Sequence, residues 1–404
     1  MEVVKSFNVF GRQIFSKVER LRDGSVFSTL FEGNDFVNSE KYLDASLCNP
    51  VLMTIILLRA RLYSQMKIKH VDSNGKEITN SPYVKLLSQP NYFQSQEDFL
   101  FQQMWFLSAA GNDYIYEIKA FTNDTPKALY NLIPSEIDFK KTNKLNKFIV
   151  SEKEKKAFGE NTIEYTLDNT TYNIKLSELI TLYDMANGLS CNSFFRSESR
   201  VKGISKVLEN IDQNLKSKNK NLQFSAKYIG INKSTGNEAQ IQSGDKTAIE
   251  KVLGSKDVLH TNAPIEYKHL VNDMKRLFLD EQFAEDANKV VLAFEMNKNV
   301  INYFSKDSTF ENQSEGIISY IQNSIQTTAK NTMASLSSQW GLIEKGEMLV
   351  ASYDHLAVMQ SVVNEKINSF KSMQETIKIG LENGTITQPE AVKMSNDFKL
   401  KLGL

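Results

Sequence analysis

The spacing of apolar positions changes period several times along this chain, and each change predicts an element. From Asn49-Pro50 an apolar run with helical spacing leads to Lys67. The stretch IKHVDSNGKEI then predicts a strand and a tight turn, with Ser73-Asn74-Gly75 supplying residues that tolerate positive φ. Ser95 with Asp98 three residues later reads as a helix-start box before FLFQQMWFLSAAG, and Gly111 as the left-handed cap that ends that helix. Asp113–Lys119 alternates as a strand, with Tyr114, Tyr116 and Ile118 on one face. Between 129 and 185 the short alternating runs LYNLIP, KFIVSE, IEYTLD, TYNIKL and LITLYD predict a small antiparallel sheet.

From Ser197 the period becomes helical through VKGISKVLENIDQNLKSKNKNLQFSAK. YIGIN predicts a strand, KTAIEKVLG a short helix, DVLHTNAPIEYKHL another strand, and 270–292 a second long helix. The period then breaks in MNKNVINYFSKDSTFENQSEG and resumes in IISYIQNSIQTTAKNTMASLSSQW. Between Ile317 and Trp340 the only charged residue is Lys330. A helix polar all round but almost uncharged suits neither a solvated surface nor a monomer's oily core. It suits packing among copies of itself in a ring. Residues 348–404 predict two further helical segments joined at 380–387, and residues 1–45 read as an arm of short amphipathic pieces. The predicted architecture is α+β, with strands early, long helices late, and a small β-containing insert between two helices.

Composition narrows the function classes. The 404 residues are 41% hydrophobic with a mean hydropathy of −0.36, enough for a substantial core and ordinary for a soluble globular protein. Lys+Arg and Asp+Glu balance at 48 each, which argues against coating nucleic acid through bulk positive charge. Cys48 and Cys191 make no disulfide framework, so a reduced setting is the default. The start Met1-Glu-Val-Val-Lys shows no secretory signal, and Val51–Leu58, interrupted by Arg59 and Arg61, is shorter than the about twenty apolar residues a bilayer span needs. A soluble, intracellular protein is expected.

Little points to catalysis. His70, His260, His269 and His355 have no metal-ligand spacing, and no cysteine pair completes a zinc site. There is no G-x-S-x-G elbow and no G-x-G-x-x-G fingerprint. Ser243-Gly244-Asp245-Lys246-Thr247 has the tail of a phosphate loop without its upstream glycine, and reads better as a turn into a helix capped by Ser243 or Asp245. Asp44, Asp280, Glu281, Glu285 and Asp286, with Lys275, Arg276 and Lys289 near the last four, read as a solvated face with intrahelical pairs. No enzyme, metal or cofactor is expected. A metal-dependent DNA-processing enzyme, the alternative from another class, needs an acidic constellation that these residues do not assemble.

Four segments, taken in order, resemble the portal proteins of tailed bacteriophages. Leu86-Leu87-Ser88-Gln89-Pro90-Asn91, with Gln94 and Phe99, resembles the family's L-L-x-x-P-N-x-x-Q-x-x-x-x-F stretch. Ala110-Gly111-Asn112-Asp113-Tyr114-Ile115 is similar to its Gly-Asn-Ala-Tyr step into a strand. The third likeness is the broken helix, whose irregular part ends near Thr309-Phe310-Glu311-Asn312. The fourth is Glu382-Asn383-Gly384-Thr385-Ile386-Thr387-Gln388-Pro389-Glu390-Ala391, which resembles the Gly-x-x-Thr-x-x-Glu-Ala turn. Two departures concern loop geometry. Phe294-Glu295-Met296-Asn297 stands where the family has Phe-Gly-Val-Pro-Pro, and Gly188-Leu189-Ser190-Cys191 where it has Gly-x-Ser-Pro-Leu.

The resemblance implies a portal-type fold: an N-terminal arm at 1–45, a strand-rich wing at 46–197, paired stem helices at 198–227 and 270–293, and a clip at 228–269. It further implies a tunnel loop at 294–316, a long wing helix at 317–347 and a helical crown at 348–404. It implies a homo-oligomeric ring, a dodecamer in the virion, at one capsid vertex, assembled in the host cytoplasm and conducting double-stranded DNA in packaging and ejection. The implied partners are the terminase, which hydrolyses ATP, the major capsid or scaffold protein, and a head–tail adaptor, with no membrane. Another ring-forming head–tail connector is the alternative. Lys298 and Lys306, among Asn297, Asn299, Asn302 and Tyr303, would then give sparse, sequence-blind phosphate contact, where the plain alternative is a solvated loop. Lys216, Lys218, Lys220 and Lys227 would touch DNA or acidic partner surfaces, or simply complement a helix C-terminus. Ile317, Ile321, Ile325, Met333, Leu336 and Trp340 would pack against the wing or a neighbouring subunit.

Overall fold

In the computed structural model, residues 8–9, 12–13, 39–120, 123–139, 149, 151–185, 195–224, 228–232, 265–269, 279–301 and 310–402 are described. Helices α1 (Ser39–Cys48) and α2 (Pro50–Ser64) meet at Asn49, whose side-chain oxygen accepts from the amides of Val51 (3.1 Å) and Leu52 (3.0 Å). Strand β1 (Lys67–Val71) leads to a turn in which Asp72 accepts from the amides of Asn74 and Lys76. Of the three turn residues expected to tolerate positive φ, only Gly75 adopts it, at +77°. Helix α3 (Pro82–Ser88) precedes α4 (Gln96–Ala110), which starts with the expected capping box: Ser95 Oγ accepts from Asp98 N at 3.2 Å, and Asp98 Oδ2 from Ser95 N at 3.3 Å. Gly111 closes α4 at φ +78°, and a Cβ there would stand 2.5 Å from the Glu198 carbonyl oxygen.

Strands β2 (Asn112–Ala120), β3 (Asn123–Leu132) and β4 (Ile137–Asp138) follow, then helix α5 (Glu152–Gly159) and strands β5 (Thr162–Leu167), β6 (Thr170–Lys175) and β7 (Leu179–Tyr183). Next come α6 (Arg200–Gly203), α7 (Ser205–Phe224), β8 (Tyr228–Asn232), β9 (Ile265–His269) and α8 (Leu279–Ala293). The last elements are α9 (Phe310–Tyr320), a π-helical turn (Ile321–Ile325), α10 (Gln326–Gln339), β10 (Met348–Ser352), α11 (Gln360–Glu382) and α12 (Gln388–Leu402).

The chain divides into two units. The first comprises Met1–Thr54 and Arg200–Phe294. Its core lies between α7 and α8, where Leu208 and Ile211 on one and Ala287, Val290 and Val291 on the other are buried at helical spacing, with Phe294 just beyond. Strand β8 pairs antiparallel with β9, Tyr228 opposite His269 and Asn232 opposite Ile265. The helix expected at Lys246, the start of the strand expected from Asp257, and residues 270–278 of the second long helix lie outside the described residues.

The second unit comprises Ile55–Ser199 and Glu295–Leu404. Residues 129–185 contribute to two three-stranded antiparallel sheets, not the single one expected: β3-β2-β7 and β4-β5-β6. They share an apolar cluster that includes Tyr114, Leu132, Phe139, Ile163, Ile174 and Leu179. KFIVSE, expected as a strand, falls mostly outside the described residues, and its end starts α5, with Ser151 capping the Glu154 amide. Strand β10 is a further correction, because residues from 348 were expected to be helical. MLVAS instead pairs antiparallel with β1, Met348 opposite Val71 and Ser352 opposite Lys67. Ser337 Oγ on α10 accepts from the Leu349 amide at 2.9 Å and so fastens β10 to the helix.

Candidate functional site

The broken helix sits differently from its sequence reading. Helix resumes at Phe310 instead of Ile317 and continues through the π-turn to Gln339. The irregular segment is therefore shorter than 294–316. At its start Glu295 takes φ +60° and Met296 is buried. Asn297 then caps a 3-10 turn (Lys298–Val300), its Oδ1 accepting from Asn299 N at 3.1 Å and its carbonyl from Val300 N at 3.0 Å. That turn packs on α9 at Gly316, where a Cβ would stand 3.1 Å from Val300 Cγ2. Lys298 is exposed and Asn299 half-buried. Asn302, Tyr303 and Lys306 lie outside the described residues.

The helix over 310–339 is not polar all round. Ile321, Ile325, Met333 and Leu336 are almost fully buried and Trp340 nearly so, within the chain's own second unit, while Ile317 is half-buried. Of the two packings expected, against the wing or against a neighbouring subunit, Ile321, Ile325, Met333, Leu336 and Trp340 are taken up inside their own unit. Trp340 Nε1 donates to Glu117 Oε1, and its ring stacks on Tyr83 at 5.0 Å. Beyond the exposed Glu315, the outward face carries Ser319, Gln322, Asn323, Thr327, Asn331 and Ser338, and Lys330 is the one charge between Ile317 and Gln339.

Beneath this helix lies a buried polar network that sequence reasoning missed. Arg59 Nη2 stands 2.6 Å from Asp184 Oδ1, both side chains 0% exposed. Burial by itself would lower the Arg59 pKa, but the Asp184 carboxylate together with Tyr320 and Glu295 outweighs it and holds the guanidinium above its ordinary value. Tyr63 OH donates to Gln103 Oε1 (3.0 Å) and stands 2.8 Å from Thr332 Oγ1 on α10, whose own hydroxyl proton completes that second bond. Burial pushes the Tyr63 hydroxyl up and raises the Asp113 carboxyl well above the usual range, the nearby Gln103 amide and Tyr114 N–H opposing the latter. Strand β2 is thus covered on both faces: Tyr114 enters the apolar cluster, while Asp113, Ile115 and Glu117 are 0% exposed on the other side. Alternation alone would have put Asp113 and Glu117 in water.

Two lysines of the basic run on α7 have partners within the first unit. Lys216 pairs with Asp212 at 2.8 Å, and Lys218 Nζ lies 5.6 Å from the Phe283 ring centroid. The helix continues to Phe224, so Lys216, Lys218 and Lys220 precede its last turn and the C-terminal dipole does not explain them. Lys227 lies outside the described residues. Between α7 and α8 is an open polar cleft of about 460 Å³, lined by Asn210, Gln213 and Asn214 on one helix and Gln282, Glu285 and Asp286 on the other. Lys289 pairs with Glu285 (3.1 Å) and Asp286 (3.0 Å), as the intrahelical reading expected.

No group of three or more His, Cys, Asp or Glu among the described residues could hold a metal. His70 is structural, its Nδ1 2.9 Å from Ser81 Oγ and its Nε2 3.2 Å from Glu347 Oε2. Among the described residues no single helix is long and apolar enough to cross a membrane; α1 and α2 pass together by length and composition, across a 100° bend.

Solved structures share this fold at low identity. A chain from the neck of an empty gene transfer agent particle, computed with C6 symmetry, matches at TM-score 0.63 and 12% identity, over 91% of this chain and 94% of that one. A chain from the native particle's neck, computed with C12 symmetry, matches at 0.60 and 13%, over 92% and 94%. An HK97-family phage portal protein from Corynebacterium diphtheriae matches at 0.50 and 12%, over 79% and 96%. A sequence comparison with curated proteins finds no match. Residues 50–396 match the phage portal protein family, and the chain, with its α+β portal fold, belongs to that family.

Proposed function

We propose that copies of this chain close into a ring, a dodecamer at the portal vertex of a virion, through which double-stranded DNA is packaged and ejected. The observation that carries this reading is the family match over 50–396, joined to a fold that spans nearly the whole of a neck chain from a particle computed with C12 symmetry. The role is structural. Terminase, a capsid or scaffold protein and a head–tail adaptor are its partners, and assembly occurs in the host cytoplasm.

Within that reading, α7 and α8 form the stem, and β8 and β9 belong to the clip that faces motor and adaptor. The second unit supplies the wing, and α11 with α12 the crown. The tunnel loop falls within 294–309, because helix resumes at Phe310. Lys298 and Lys306, flanked by Asn299, Asn302 and Tyr303, touch phosphates weakly; a channel through which DNA slides cannot hold it by many ion pairs. Lys216, Lys218, Lys220 and Lys227 are a second contact for DNA or an acidic partner. Since Ile321, Ile325, Met333 and Leu336 are occupied inside the chain, the nearly uncharged outward face between Ile317 and Gln339 meets the neighbour.

Particle mass and negative-stain images of the purified chain test the ring. Rings with a central hole are expected; a stable monomer with divalent-metal-dependent nuclease activity overturns the reading. Replacing Lys298 and Lys306 by Ala is expected to alter DNA packaging or retention, and unchanged values in both refute the loop contact.

A further inference from the structure

The motif stretch around Pro90-Asn91 builds a pedestal whose tip has no partner among the described residues to cover it. Tyr92 and Phe93 stand 93% and 85% exposed, their rings touching edge-on at 6.4 Å. Beneath them Pro90 and Asn91 are buried. Asn91 Nδ2 donates to the Leu129 carbonyl (2.9 Å) and to Gln94 Oε1 (2.8 Å), and its Oδ1 accepts from Phe93 N (2.9 Å). Leu129 N donates to the Pro90 carbonyl at 2.7 Å, and Gln94 Nε2 to Gln102 Oε1 at 2.7 Å. The two aromatic rings are therefore presented on a fixed backbone, the arrangement that lowers the ordering cost of an interface anchor. In the motif, Asn91 and Gln94 are scaffold, and the two positions between them are the presented tip.

The chemistry around the tip selects its partner. From Leu86 through Gln96 no residue is charged, so the knob buries without stranding a charge only against a surface that is itself nearly neutral. The outward face between Ile317 and Gln339, past the exposed Glu315, is such a surface. Its one cation, Lys330, is exposed, has no carboxylate at three or four residues on either side, and makes no ion pair among the described residues. An ammonium lacking an anion and a pair of uncovered rings complement each other through the ring quadrupole. We infer that the Tyr92–Phe93 knob of one copy seats on the Lys330 face of the next copy. Knob and seat are different surfaces of one chain, so the contact is heterologous, the kind that closes a ring. This contact rests on the ring reading above.

The test uses the full chain. Tyr92→Ser with Phe93→Ser, and separately Lys330→Ala, are expected to raise the concentration for half-assembly into rings by roughly tenfold or more. Lys330→Arg is expected to keep assembly, and monomer melting should stay at the wild-type value. In a Cys48→Ser, Cys191→Ser background, Phe93→Cys with Asn331→Cys should give, on oxidation, a covalent ladder of subunits, which each single cysteine variant does not. Wild-type rings joined by unaltered assembly of the Tyr92/Phe93 variant and no ladder overturn this contact alone, as they would if another virion protein covered the knob. A wild-type chain that forms no rings overturns the ring reading and the contact with it. If the Ser variant misfolds, the ladder decides.

Discussion

Replacing Arg59 by Met should cost the second unit about 3–5 kcal/mol, and replacing Asp184 by Leu in the same chain should restore most of it. Both side chains are 0% exposed and their atoms stand 2.6 Å apart. The guanidinium stays charged at every accessible pH, because the Asp184 carboxylate, with Tyr320 and Glu295, more than reverses the effect of burial. Without Arg59, the buried Asp184 carboxylate loses the cation 2.6 Å away, which is the source of the loss. The intact pair, by contrast, contributes little beyond what two apolar side chains of similar volume would, because both ions have surrendered their hydration. For a unit of roughly 250 residues, the single-variant loss corresponds to a fall of roughly 6–20 °C in melting temperature.

Urea unfolding at pH 7, followed by circular dichroism on wild type, both single variants and the double, measures the coupling. The double variant is expected within about 1 kcal/mol of wild type, or above it. A double variant whose loss equals the sum of the two singles would mean the groups do not sense each other, and the account of a paired buried charge would fail.

Two further outcomes follow from particular atoms. Asp113 has a folded-state pKa above its unfolded one, so its contribution to stability is full below about pH 4, where both states are protonated, and is lost as pH rises toward the folded value. Asp113→Asn should therefore gain on wild type between pH 4 and pH 8, and a pH-independent difference in urea midpoint refutes it. Gly111→Ala should cost more than Gly75→Ala although φ is +78° and +77°, because the new Cβ meets the Glu198 carbonyl at 2.5 Å in one case and open space in the other. The second should lose about 1 kcal/mol and the first at least about twice that, read by melting; equal losses remove the steric argument.

The features legible in sequence were local ones. Ser95, Asp98 and Gly111 act within a turn of helix or at its end, so spacing alone located them. The match of the Leu86–Phe99 stretch and its fellows was likewise a matter of order along the chain. Strand β10 was not legible: five residues gain their state from β1, some 280 residues earlier, and nothing near Met348 signals it. The core face of 310–339 was hidden for another reason. Thr332 and Ser337 count as polar in sequence yet sit buried, one bonded to the Tyr63 hydroxyl and the other to the Leu349 amide. The π-turn at Ile321–Ile325 also shifts the helical register, so a uniform 3.6 period misaligns the two halves of the stripe.

That leaves the outward face past Glu315, where a solvated helix tolerates charge freely and this one, from Ile317 to Gln339, carries a single lysine. Elsewhere in the unit the chain spends charges in buried positions and pairs them, as Arg59 with Asp184 and Glu117 with Lys119 at 3.2 Å. Neutrality on an exposed surface gives the isolated chain no stability. It matters only where that surface is later dehydrated, since an uncompensated carboxylate then costs several kcal/mol. Thr327→Glu separates the two situations. Thr327 is exposed and its hydroxyl merely returns to the Asn323 carbonyl at 3.0 Å, so monomer melting should shift by no more than about 0.5 kcal/mol in stability. Ring assembly, measured by particle mass, should be lost, because every interface around the ring would bury the new charge. Rings that form at the wild-type concentration would show that the face stays wet, and the neutral helix would then need another cause.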